Sequence, residues 1–132
     1  MRIVISEPST GKSYQAEIPK DKENVFIGKH IGDTLEGNLI GAAGYTLELT
    51  GGSDTAGFPM RKDVSGTARK AILTSDGVGF RATRSGERRR KQLRGNAFSS
   101  EILQINSVVK QAGATPLEQL FPKKADASKE KK

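Results

Sequence analysis

The stretch "YTLELTGGSDTAGFPM", residues 45–60, carries two opposed signals side by side. In its first half Tyr45, Leu47 and Leu49 are apolar, while Thr46, Glu48 and Thr50 are polar. Successive side chains of a strand point to opposite faces, so this period of two predicts a half-buried β-strand. The second half is dense in glycine, with Gly51, Gly52 and Gly57, and predicts an irregular loop that ends the strand. Asp54, just after the glycine pair, is expected to accept backbone hydrogen bonds inside that loop.

The same grammar recurs outward from this stretch. Ile3 to Ile5 and Tyr14 to Ile18 alternate as strands, and "EPSTGK" between them is turn chemistry, which predicts a hairpin. "PKDKEN" is a polar connection, and "VFIGKHIGDTLEGNLIG", residues 25–41, reads as short strand or turn pieces. "ARKAILTS" predicts a strand with "VGF" as its short partner after the "SDG" turn. "SEILQINSVVK" is β-branched and apolar enough for another strand. "TPLEQLF" carries helix marks: Thr115 as N-cap, Pro116 at the first helical position and Glu118 completing a capping box. Fifteen glycines and five prolines favour turns over a helix bundle. The expected fold is mainly β, a small barrel-like or curled antiparallel sheet with short helical segments. Residues 1–122 are expected to form a single globular domain, and 123–132, "KKADASKEKK", a disordered lysine-rich tail.

Composition narrows the chemistry. The hydrophobic fraction is 34% and the aromatic fraction 5%, with no Trp, so the core is lean and is expected to lean on a partner for part of its order. With no cysteine there is no disulfide framework, no thiolate zinc site and no thiol nucleophile. With one histidine, His30, no metal site is expected, and no cofactor. The opening "MRIVISEPS" meets Glu7 and Pro8 at once, so it is not read as a signal peptide, and no stretch approaches the roughly 18 apolar residues of a membrane span. A cytoplasmic protein with no membrane contact is expected.

Charge is where the sequence speaks loudest. The net charge is +7, and its placement is uneven. Between residues 61 and 94 stand eleven bases: Arg61, Lys62, Arg69, Lys70, Arg81, Arg84, Arg88, Arg89, Arg90, Lys91 and Arg94. Against them stand Asp63, Asp76 and Glu87, for a local net of +8, while the other eleven bases face twelve acids. A chain made basic for solubility alone would spread the charge. The densest part, "RSGERRRKQLRG" at residues 84–95, is bounded by Gly86 and Gly95 and lies between predicted strands, with Phe80 and Phe98 on either side. Arginine forks onto phosphate oxygens and stacks on bases, so the pattern points to nucleic acid rather than to a solvated face. No recognition helix flanks the run, which favours folded RNA over the DNA major groove. Glu87 is expected to hold Arg88 or Arg90 by pairing.

Other motifs carry less. "GKS" at residues 11–13 lacks the earlier glycine of a phosphate loop, since Ser6 stands there, and a strand rather than a helix follows. "DTAG" at 54–57 resembles a nucleotide switch but has no phosphate loop to serve. His30 with Asp33, and Glu7 with Glu17, have no companion nucleophile or marked geometry. No catalytic set is expected.

"GGSDTAGFPM" followed about two dozen residues later by "SGERRRKQLRG" resembles the archaeal and eukaryotic small-subunit ribosomal protein family "S six, eukaryotic type". "ISEPSTGKSYQAEI" is similar to its first hairpin, and "GATPLEQLFP" to the segment closing its globular part, so the likeness runs from Arg2 to Pro122. The resemblance implies a non-enzymatic constituent of the small ribosomal subunit, with a small β-barrel-like body bound to ribosomal RNA and beside neighbouring ribosomal proteins. It carries over Gly51, Gly52, Asp54, Gly57, Phe58, Pro59 and Met60 as the motif loop. It carries over Gly86, Glu87, Arg88, Arg90, Lys91, Arg94 and Gly95 as the basic motif. Eukaryotic members continue into a long basic helix with phosphorylated serines; here the tail has only Ser128, so an archaeal-length member without that regulation is expected. Phe58 and Met60 are read as packing onto the body in preference to base stacking by Phe58. The free protein is expected to be a monomer. The competing reading is a free-standing RNA chaperone or regulator off the ribosome.

Overall fold

A computed structural model describes residues 1–122. The expected tail, 123–132, lies outside the described residues. Strands Arg2–Glu7 (β1) and Lys12–Glu17 (β2) form the predicted hairpin, in register from Arg2 opposite Glu17 to Glu7 opposite Lys12. Gly11, in the turn of "GKS", takes the left-handed φ of +67° that glycine adopts without a Cβ clash. One helical turn, Lys20–Glu23 (α1), and a short strand, Thr34–Glu36 (β3), lead to the long strand Thr46–Asp54 (β4). Then come Arg69–Thr74 (β5), Arg89–Arg94 (β6), Ile102–Gln111 (β7) and one turn of helix, Leu117–Leu120 (α2).

The mainly β expectation is met, with a different sheet. Five strands pair in the order β2-β1-β7-β4-β3, and β5 and β6 form a separate two-stranded ribbon. The larger sheet is open, with β2 and β3 at its edges, rather than closed as a barrel. It is also mixed rather than antiparallel, because β1 runs parallel to β7, with Ile3 beside Ile105. A parallel neighbour cannot come from a tight turn, so the chain between β1 and β7 is the crossover.

The core sits on one face of this sheet. Ile3, Ile5, Leu47, Leu49, Ile102 and Ile105 are fully buried with Phe26, Phe98 and Leu117. Tyr45, Leu47 and Leu49 point inward as the alternation predicts. The glycine pair does not end the strand as expected. Gly51 and Gly52 keep extended φ and stay in β4, across a register shift against β7 between Leu49 and Gly51. What glycine supplies there is a missing side chain: a Cβ at Gly52 would lie 2.4 Å from the Gln104 carbonyl oxygen. The turn falls later, at Gly57, where φ is +89°.

Two further expectations are corrected. The capping box of α2 is not formed: the cap position is Pro116, with no side-chain cap bond, and Glu118 instead pairs with Lys12. "VGF" is not the partner of β5; it closes on itself through the bridge of Gly77 with Phe80, and β5 pairs with β6. The basic segment 84–95 is therefore not all loop, since six of its residues are strand. No helix of the described residues is long and apolar enough to cross a membrane.

Candidate nucleic-acid interface

The β5–β6 ribbon brings both halves of the basic region together. Its register pairs Arg69 with Arg94, Lys70 with Leu93, Ala71 with Gln92, Ile72 with Lys91, Leu73 with Arg90 and Thr74 with Arg89. Opposed residues of an antiparallel pair share a face. One face therefore carries Arg69, Ala71, Leu73, Arg90, Gln92 and Arg94; the other carries Lys70, Ile72, Thr74, Arg89, Lys91 and Leu93.

The second face is turned toward the body. Leu93 is fully buried, and Gly79 and Pro59 crowd it: a Cβ on Gly79 would meet Leu93 at 2.5 Å. Thr74 is buried and accepts from an Nη of Arg61 at 3.0 Å. Lys91 stands 5.7 Å from the centroid of the Phe80 ring. The first face is open over its outer part, where Ala71, Leu73, Arg90 and Gln92 are all exposed, and closed at its base, where Arg94 is buried.

At its base the ribbon is tied to the end of β4 by one carboxylate. Oδ1 of Asp54 accepts the N–H groups of Ala56 at 3.0 Å and Phe58 at 2.9 Å, as the sequence predicts for this loop. Oδ2 accepts Nε–H from Arg69 at 2.8 Å and from Arg94 at 3.0 Å. Arg94 also donates to the Thr67 carbonyl at 2.8 Å and to Glu101. Burial alone would raise the Asp54 carboxyl, but hydrogen bonds from Arg94, the Phe58 N–H and Arg69 outweigh it and hold it below the ordinary carboxylate range. Backbone bonds from Arg61 N–H to the Arg94 carbonyl and from Arg94 N–H to the Pro59 carbonyl complete the joint.

The loop before β6 is organised by Glu87, which accepts both the N–H and the hydroxyl of Thr83 and the Nε–H of Arg89 at 2.8 Å. The Thr83 N–H, then its hydroxyl, then Arg89 keep this carboxyl below its usual range. Its arginine is thus Arg89, the first residue of β6, not Arg88 or Arg90.

The eleven expected contact bases divide accordingly. Arg61, Arg69, Arg89 and Arg94 are matched by carboxylates of the same chain, namely Asp63, Asp54, Glu87, and Asp54 with Glu101. Lys70 donates to the Ser65 carbonyl, and Lys91 faces Phe80. Lys62, Arg81, Arg84, Arg88 and Arg90 are exposed, with no side-chain hydrogen bond or ion pair among the described residues. Of the motif loop, Met60 is buried in the core as expected. Phe58 is half-buried, and the guanidinium of Arg69 stands 5.0 Å from its ring centroid. Sequence reasoning missed the Asp54 clamp. The signal was the motif's lone acid, whose second oxygen the loop alone leaves unused. The His30 and Asp33 pair is a loop feature: Asp33 accepts the backbone N–H of His30 at 2.8 Å.

The family profile described as "Ribosomal protein S6e" matches residues 1–122. The chain is 46% identical to a protein named small ribosomal subunit protein eS6 from Methanoculleus marisnigri, over 91% of each chain. It is 48% identical to the protein of that name from Archaeoglobus fulgidus, over 95% of this chain and 98% of the relative. With the one from Methanothermobacter thermautotrophicus it shares 49% identity, over 91% and 94%. With a match spanning the hairpin, the glycine-rich end of β4 and the whole basic ribbon, the chain belongs to the ribosomal protein S6e family.

Proposed function

We propose that this protein is a non-catalytic, structural constituent of the small ribosomal subunit in the cytoplasm, where residues 1–122 act as one RNA-binding unit. It binds small-subunit ribosomal RNA through the basic ribbon and the loop that joins its strands, and it abuts neighbouring ribosomal proteins. The observation that carries this reading is the concentration of the whole positive excess in residues 61–94 together with the exposure, without acid partners, of Lys62, Arg81, Arg84, Arg88 and Arg90. A scaffold that clamps its buried arginines and leaves these free is suited to a polyanion. Arg94 and Arg69 serve the interface by fixing the ribbon to β4.

The test is the salt dependence of binding between the full chain and small-subunit ribosomal RNA. For about six phosphate contacts, the logarithm of affinity falls against the logarithm of salt with a slope of about −4 to −5. Replacing Arg88, Arg89 and Arg90 by Gln should flatten it; an unchanged slope counts against the site. Co-sedimentation with small subunits in cell extract separates this reading from a free-standing RNA chaperone.

A further inference from the structure

The run Arg89-Arg90-Lys91 looks uniform as sequence, yet the strand that holds it splits it. Arg89 and Lys91 lie on the other ribbon face: Arg89 is exposed but ion-paired with Glu87, and Lys91, half-buried, faces Phe80. Arg90 lies on the opposite face, directly across from Leu73, which at 55% exposure is the most exposed large hydrophobic residue of the described chain. Beside them Gln92 lies across from Ala71, both exposed. At the base of this face Arg69 stands over Phe58. Beyond the buried Arg94 at its base, the face is therefore a strip of guanidinium, amide and aliphatic groups with no cover among the described residues.

Resting on the RNA-binding reading above, we propose that the RNA lies against this one face, with Arg90 on phosphate and Leu73 on the apolar surface of a ribose or an unstacked base. The charge balance chooses the occupant. A protein partner packing on Leu73 would bury the unmatched guanidinium of Arg90 unless it brought its own acid, whereas RNA offers phosphate beside sugar and base faces at every nucleotide. Folded RNA exposes such surfaces at loops and bulges, and stacking or apolar contact there tolerates many sequences. Arg89 and Lys91, on either side of Arg90 in sequence, are already engaged, one with Glu87 in the loop and the other with Phe80 at the turn.

Neighbouring residues thus make opposite forecasts, which the full chain and small-subunit ribosomal RNA can decide in a salt titration. Arg90→Gln should weaken binding about three- to tenfold and reduce the magnitude of the slope by roughly 0.7 to 1. Arg89→Gln and Lys91→Gln should each change affinity less than about twofold and leave the slope near its original value. Leu73→Ser should weaken binding about three- to tenfold with the slope unchanged, because an apolar contact releases no counterions. Leu73 is exposed, so a melting curve matching the original protein's confirms that this variant folds. Equal effects at positions 89 and 90 would overturn the assignment of the face. So would a Leu73→Ser variant that binds RNA normally but is lost from assembled small subunits, which would give the face to a neighbouring protein. A flat slope for the unaltered protein would instead defeat the RNA-binding reading itself.

Discussion

Arg94 donates its Nε–H to Oδ2 of Asp54 at 3.0 Å, and both side chains are interior, 3% and 2% exposed. The most deeply buried base of the arginine-rich segment is thus spent on structure. Arg69, opposite Arg94 across the ribbon, shares the same oxygen at 2.8 Å. One carboxylate therefore grips both strands of the ribbon at the level where β4 ends. Removing it leaves the buried Arg94 guanidinium with only Thr67 and Glu101, and breaking a buried pair from one side costs about 3–5 kcal/mol. Asp54→Ala is expected to lose stability of that size in urea unfolding. A loss below about 1 kcal/mol would mean that the joint is solvated and not the anchor described.

Acid should loosen the same joint. Asp54 is held below the ordinary carboxylate range although burial opposes it, and Glu101 is held low by its hydrogen bond and charge interaction with Arg94. Groups whose folded pKa is depressed contribute stability that is fully present above their unfolded values, about 3.9 for Asp and 4.3 for Glu. That stability is lost as pH falls through the folded values, which lie lower. Unfolding free energy should therefore be level from neutral pH to about 5 and decline below about 4. The Asp54→Ala protein, lacking one of these contributors, should show a shallower decline. Parallel curves for the two proteins would assign the acid sensitivity elsewhere.

The sequence made some of this legible and hid the rest for physical reasons. Alternation at Tyr45 to Leu49 and at Ile3 and Ile5 reports directly which side chains are buried, because period two is a property of any strand with one covered face. The continuation of β4 through Gly51 and Gly52 was hidden, because glycine is compatible with turn and extended backbone alike. Which one it takes was decided by pairing with Asn106 and Ile105 on β7, about fifty residues away. The pairing of β5 with β6 was also hidden. A hairpin from "SDG" was the local choice, but that turn closes on itself at Phe80 and leaves β5 to the arginines. Charge placement marked the region of the interface, while the division between clamped and free arginines depended on distant partners such as Asp54 and Glu101.

Because six residues of the basic segment are strand, its mobility in the free protein should not be uniform. Repulsion among unmatched arginines favours opening, and it acts most where no ladder opposes it. Ser85, Gly86 and Arg88 should exchange their amide hydrogens quickly. The β6 amides bonded into the ribbon, and the Arg94 N–H that bonds the Pro59 carbonyl, should be slower by orders of magnitude. Hydrogen exchange followed residue by residue checks this. Uniformly fast exchange from 84 to 94 would mean that the ribbon forms only on RNA.

The glycines that bound the basic segment do different work, and substitution should separate them. Gly86 has φ of +77° in the turn and nothing within 4 Å of where a Cβ would sit, so Gly86→Ala meets only left-handed backbone strain, about 1–2 kcal/mol. Gly95 ends β6 with ordinary φ, but a Cβ there would fall 1.8 Å from the carbonyl oxygen of Gly66, which accepts the Ala97 N–H at 3.1 Å. Neither the oxygen nor the strand can yield without breaking that bond and shifting Arg94, so Gly95→Ala should cost about 3 kcal/mol or more. Denaturant midpoints of the two variants check the order. If Gly86→Ala proves the more damaging, the close passage of residues 64–67 beneath the end of β6 is wrong. The mooring of the ribbon would then rest on Asp54 and on the backbone bonds of Arg94 with Arg61 and Pro59.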